Sequence, residues 1–155
     1  MRARTALSLV LALASMLPLL SLTACACAPT GETDRDTALV DLAVGATTQE
    51  IPATIHVRSG TPQVEASVPN CAGTALASAT IRILDASGTA LPVAESGACT
   101  QTVNVTAAAG TDVDLRVVVT LPTAASARAM GDIDLVTFQD VCASVGASDI
   151  VSFGS

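Results

Sequence analysis

Residues 113–121 read Val113-Asp114-Leu115-Arg116-Val117-Val118-Val119-Thr120-Leu121. Val113, Leu115, Val117, Val119 and Leu121 fall on every second position; Asp114, Arg116 and Thr120 fall between them. Successive side chains of a strand point to opposite faces, so this spacing predicts a strand with one apolar and one polar face. A slip of one residue would bury Asp or Arg without a partner, so the register is strongly specified.

The same period recurs on both sides. Ala38, Val40, Leu42 and Val44 share one face of a segment, and Ile51, Ala53, Ile55 and Val57 alternate with Pro52, Thr54, His56 and Arg58. Val64, Ala66 and Val68 alternate with Glu65 and Ser67, Ala79, Ile81 and Ile83 with Thr80 and Arg82, and Val103 and Val105 with Thr102, Asn104 and Thr106. Turn residues separate the runs at 59–62, 69–70, 86–88 and 109–110. The pattern predicts an all-β chain, an immunoglobulin-like antiparallel β-sandwich of about seven to nine short strands. Its core should contain Ile55, Val57, Ile81, Ile83, Val103, Val105, Leu115, Val117 and Val119. Residues 85–88 are expected to close a hairpin between 81–84 and 91–93. Residues 122–130, PTAASARAM, form the one predicted helix. Residues 131–138 and 146–153 match as a near repeat, each with Gly, Asp, Val and Phe in register. They read as two adjacent strands whose Phe138 and Phe153 plug the same end of the core.

The N-terminus reads as an address. Arg2 and Arg4 precede an apolar run over residues 6–20, interrupted by Ser8, Ser15 and Pro18. A membrane span needs about 20 apolar residues, so this run fits a secretory h-region better. Leu22-Thr23-Ala24-Cys25 follows, an apolar residue and two small ones before a cysteine. This segment resembles the lipobox of bacterial lipoproteins. The resemblance implies diacylglycerol on the Cys25 sulfur, cleavage before that residue, and a protein held at a cell membrane or outer membrane on its extracytoplasmic side. An ordinary signal peptide cut near Ala24, Ala26 or Ala28 is the alternative. The chain then divides into a signal peptide (1–24), a lipidated cysteine with a flexible tether (25–37) and a β-sandwich domain (38–155).

The chain carries seven Arg, no Lys and 14 acids, for a net charge of −7. Residues 1–24 hold two of those Arg and no acid, so their removal lowers the charge to −9. A nucleic-acid partner is excluded, since phosphate binding needs a basic footprint. A cationic ligand or basic envelope protein is expected instead, because steering follows the sign of the net field. Carbohydrate is disfavoured as a ligand, with no Trp or Tyr to stack on a sugar.

Cysteines stand at 25, 27, 71, 99 and 142. With Cys25 lipidated, four remain, and export permits disulfides. Cys71 and Cys99 flank the open end of the expected hairpin, which predicts a Cys71–Cys99 disulfide. Cys27 and Cys142 are left to pair or stay free. Their spacing matches no zinc site, and no metal or other cofactor is expected.

Catalytic motifs are lacking: the chain has no GxSxG, Walker loop, GxGxxG or HExxH. The single histidine, His56, falls on the polar side of its run. Asp112/Asp114 and Asp132/Asp134 are i, i+2 pairs that share a strand face, where two carboxylates can hold calcium or act as acid and base. Asp140 adds a third carboxylate near the second pair. In an acidic protein such pairs also serve as a solvated face. Two functions are consistent with these residues. One is a non-enzymatic, membrane-anchored binding or structural domain. The other is an anchored ligand carrier or acidic-site hydrolase.

Overall fold

Strand alternation becomes two sheets in the computed structural model, which describes residues 34–58, 61–139 and 151–154. The strands are β1 (Asp34–Leu42), β2 (Thr48–Val57), β3 (Gln63–Ser67), β4 (Thr80–Asp85), β5 (Val93–Gly97), β6 (Thr100–Asn104), β7 (Thr111–Thr120), β8 (Ala129–Phe138) and β9 (Val151–Phe153). A five-stranded sheet runs β1-β8-β3-β6-β5 and a four-stranded sheet runs β4-β7-β2-β9, with every pairing antiparallel. The sheets face each other as a sandwich, as the period-two pattern predicts. The first strand lies beside the eighth and the last beside the second, so β1 and β9 are edge strands on one side of the sandwich.

The predicted core is buried in full: Ile55, Val57, Ile81, Ile83, Val103, Val105, Leu115, Val117 and Val119 all belong to one apolar cluster between the sheets. Leu76, from the loop between β3 and β4, plugs one end of this core and is completely buried. It sits where Gly131 lacks a side chain: a Cβ there would lie 2.8 Å from Leu76 Cδ1. Gln139 seals the other end. Its buried amide accepts the Arg58 N–H at 2.8 Å and donates to the His56 carbonyl at 2.9 Å, which satisfies groups that would be costly to bury unpaired.

Four expectations need correction. The 85–88 turn forms, with the Asp85 side chain accepting the Ser87 and Thr89 N–H groups. It is followed by only one bridge, Leu84 to Ala90, before the chain crosses to the other sheet. β5 then pairs with β6, not β4. Residues 122–130 contain no helix. Their backbone bonds across to the loop after β1, with Gly45 N–H donating to the Ala125 carbonyl and Ala125 N–H to the Ala46 carbonyl. Those groups are then unavailable for helical turns. The near repeat does not form adjacent strands: β8 lies inside the five-stranded sheet and β9 on the edge of the other. Phe153 packs on the core, while Phe138 lies on the outward-facing side of β8, so they do not plug the same end. Finally, β1 begins at Asp34, inside the stretch assigned to the tether.

Candidate functional site

Alternation along β2 and β7 turns their polar residues outward together. The register sets His56 opposite Asp112, Thr54 opposite Asp114 and Pro52 opposite Arg116. His56 Nδ1 lies 2.6 Å from Asp112 Oδ1, and the Thr54 hydroxyl donates to Asp114 Oδ1 at 2.9 Å. Glu50 and Arg116 form an ion pair at 3.4 Å on the same face. An open depression of about 350 Å³ lies over Glu50, Thr54, Asp114 and Arg116. The His56 side chain is 40% exposed and that of Asp112 70%, so their attraction is largely screened by solvent. Among the described residues the His56 ring bonds only to Asp112.

Asp132 and Asp134 lie on the outer face of the opposite sheet. Asp134 accepts from Arg35 at 3.2 Å and from the Thr37 hydroxyl at 2.9 Å, while Asp132 is exposed. The two acidic pairs therefore point away from each other and cannot act on one ligand atom. Asp140 lies outside the described residues, as do Cys25, Cys27 and Cys142. Among the described residues no three His, Cys, Asp or Glu side chains gather as a metal site.

Cys71 and Cys99 form a disulfide, with Cα atoms 6.4 Å apart. The expected pair is present although the hairpin that suggested it is not. Cys99 instead occupies the turn between β5 and β6 with a φ of 58°, and the bridge ties that turn to the loop carrying Leu76.

Two carboxylates within the stretch assigned to the tether form a second polar site. Asp34 and Asp36 lie on the inward-facing side of β1, in phase with Ala38, Val40 and Leu42. Asp34 Oδ1 accepts the Arg35 N–H at 2.9 Å and its Oδ2 the Val151 N–H at 3.0 Å. Asp36 Oδ1 accepts the Thr37 N–H at 2.8 Å and its Oδ2 the Phe153 N–H at 2.6 Å. Each carboxylate thus joins the unpaired edge of β1 to that of β9 and closes one side of the sandwich. The sequence carries only a faint signal, in that Asp34 and Asp36 keep the phase of Ala38, Val40 and Leu42; inward-pointing charge is a known edge-strand device.

Elsewhere in the fold, Asp41 and Asp85 are held below the ordinary carboxylate range. Asp41 is lowered first by hydrogen bonding to Arg128, which binds both of its oxygens, and Arg128 is raised by the same contact. Asp85 is lowered by the Ser87 hydroxyl and then by the Thr89 N–H. No protein-family model, curated protein or solved structure matches the chain.

Proposed function

We propose that this chain is an exported lipoprotein, anchored through Cys25, whose β-sandwich binds a partner at the cell envelope and carries out no catalysis. The observation that carries the reading is Leu22-Thr23-Ala24-Cys25 after a basic and then apolar leader. Several acyl chains on one cysteine give a stable anchor, at about 0.8 kcal/mol per buried methylene. The fold adds support, because its apolar residues fill the space between the sheets and leave faces, edges and loops for contact. Several outward-facing polar groups are engaged in pairs: His56 with Asp112, Thr54 with Asp114, Glu50 with Arg116 and Asp134 with Arg35. These pairs present a mixed-charge surface. A charge of −9 after removal of residues 1–24 favours a basic partner.

The test has two arms. Fatty-acid labelling of cells should mark the wild-type chain and be lost in Cys25→Ala. Crosslinking in intact envelopes should capture a partner, while the purified protein shows no turnover across a broad hydrolase panel. Labelling that persists in Cys25→Ala overturns the anchor. Turnover abolished by Asp112→Asn or Asp134→Asn overturns the binding reading in favour of an acidic-site enzyme.

A further inference from the structure

A β-sandwich has four sheet edges, and an edge with free N–H and C=O groups is a template for another strand. Here three of the four carry side-chain or turn caps. On β1, Asp34, Asp36 and Gln49 accept the N–H groups of Arg35, Thr37 and Asp41. On β9, the same two aspartates accept those of Val151 and Phe153. On β4, Gln101 reaches across from the other sheet to accept the Ile83 N–H at 2.7 Å, and the Thr89 carbonyl accepts that of Asp85. The fourth edge, β5, has no side-chain cap among the described residues, and all five of its residues are exposed.

The side chains along β5 state what would fit there. Val93 stands opposite buried Val103, so it faces the core side, yet it is 53% exposed. Glu95 stands opposite Thr102, whose other neighbour is Glu65, which puts two acids in one row on the outer face. An added strand would cover Val93 on one side and meet the acidic row on the other. Resting on the binding reading above, we infer that β5 is the docking edge, and that its partner is an extended segment alternating apolar residues with Lys or Arg. Main-chain hydrogen bonds supply the affinity in such strand addition, and alternate side chains supply the choice of partner. A second copy of this chain fits poorly, because antiparallel self-pairing about the centre of β5 sets Glu95 against its own counterpart.

The experiment uses the full processed chain in detergent micelles and the peptide acetyl-Val-Lys-Val-Lys-Val-amide. Backbone amide resonances of residues 93–97 should shift and gain exchange protection on titration. The same peptide N-methylated at alternate residues should bind about tenfold more weakly, the loss expected for one or two main-chain hydrogen bonds. The Val-Glu-Val-Glu-Val counterpart should also bind more weakly, and Glu95→Lys should reverse the charge preference. Equal binding of the N-methylated peptide, or shifts centred elsewhere, overturns the proposal. So does concentration-dependent protection of residues 93–97 without peptide, which assigns the edge to self-association. Envelope crosslinking with Glu95→Lys separates the two levels. Capture as strong as wild type leaves the binding reading standing and removes the edge from it, whereas no capture by wild type removes the binding reading itself.

Discussion

Asp36 Oδ2 accepts the backbone N–H of Phe153 at 2.6 Å, across a sequence separation of 117 residues. Its other oxygen accepts the N–H of Thr37, so one carboxylate ties the first strand's edge to the last strand's edge. Asp34 repeats the arrangement one pleat away with Arg35 and Val151. β9 pairs with β2 over only three residues, and these two carboxylates add a hydrogen bond each to that short pairing.

Replacing one oxygen by an amide nitrogen should therefore be costly at these positions. Asp36→Asn sets a donor where an acceptor is needed, and hydrogen bonds to charged groups contribute about 1.5–3 kcal/mol. Urea unfolding should report a loss in that range for Asp36→Asn, and increased amide exchange at Val151 and Phe153. Asp112→Asn, on an exposed face, should change stability by no more than about 0.5 kcal/mol. Equal effects at the two positions would show that the bridge to β9 contributes nothing.

The sandwich core sets a second expectation. Val117 is completely buried between the sheets, so Val117→Asp places an unpaired charge there and should abolish the β circular-dichroism spectrum of the folded chain. Val118 is its neighbour on the outward-facing side, and Val118→Thr should leave the spectrum unchanged. A folded Val117→Asp variant of wild-type stability would remove β7 from the core.

The disulfide closes a loop with a sequence separation of 28. In the chain-entropy model such a closure stabilises by about 3–4 kcal/mol. Non-reducing peptide mapping of the exported protein should recover Cys71 joined to Cys99. The double variant Cys71→Ser, Cys99→Ser should lose stability of that order. Two free thiols in the exported protein would contradict the pairing.

Acid should destabilise the fold in a way that depends on Arg128. Asp41 and Asp85 are both held below the ordinary carboxylate value of 3.8 in the folded chain. Their contribution is therefore complete above that value. As pH falls below it, the unfolded chain takes up protons first, and the contribution disappears by the time the folded carboxylates protonate. Thermal melts from neutral to acid pH should show this decline, and Arg128→Gln should flatten the Asp41 part of it. An unchanged acid slope in Arg128→Gln would assign the decline to other groups.

The acidic pairs should separate in binding. Asp112 and Asp114 lie on the four-stranded sheet, and Asp132 and Asp134 on the five-stranded one. One envelope partner cannot rest on both faces at once, so neutralising one pair should reduce crosslinking more than neutralising the other. The pair on the five-stranded sheet shares its face with Glu65 and Glu95, and it is the one expected to matter. Equal losses from both pairs would point to the overall charge and not to a face.

Which side is buried in β2, β3, β4, β6 and β7 was determined by the sequence alone. Alternation is a local property: Ile55, Val57, Leu115, Val117 and Val119 face inward because their neighbours in the chain are polar or can face outward, and no knowledge of partners is needed. Which strand lies beside which was decided only by the tertiary structure. The Asp85 turn looks the same locally whether the chain returns to β4 or crosses to β5 and the other sheet. Residues 122–130 have helix-compatible composition, yet the C=O and N–H of Ala125 at their centre bond to Gly45 and Ala46, far away in the chain. Asp34 and Asp36 read as solvated tether because charge normally faces water. They face inward because an edge strand from the far end of the chain presents N–H groups there, and a carboxylate is the side chain that can accept two of them at once.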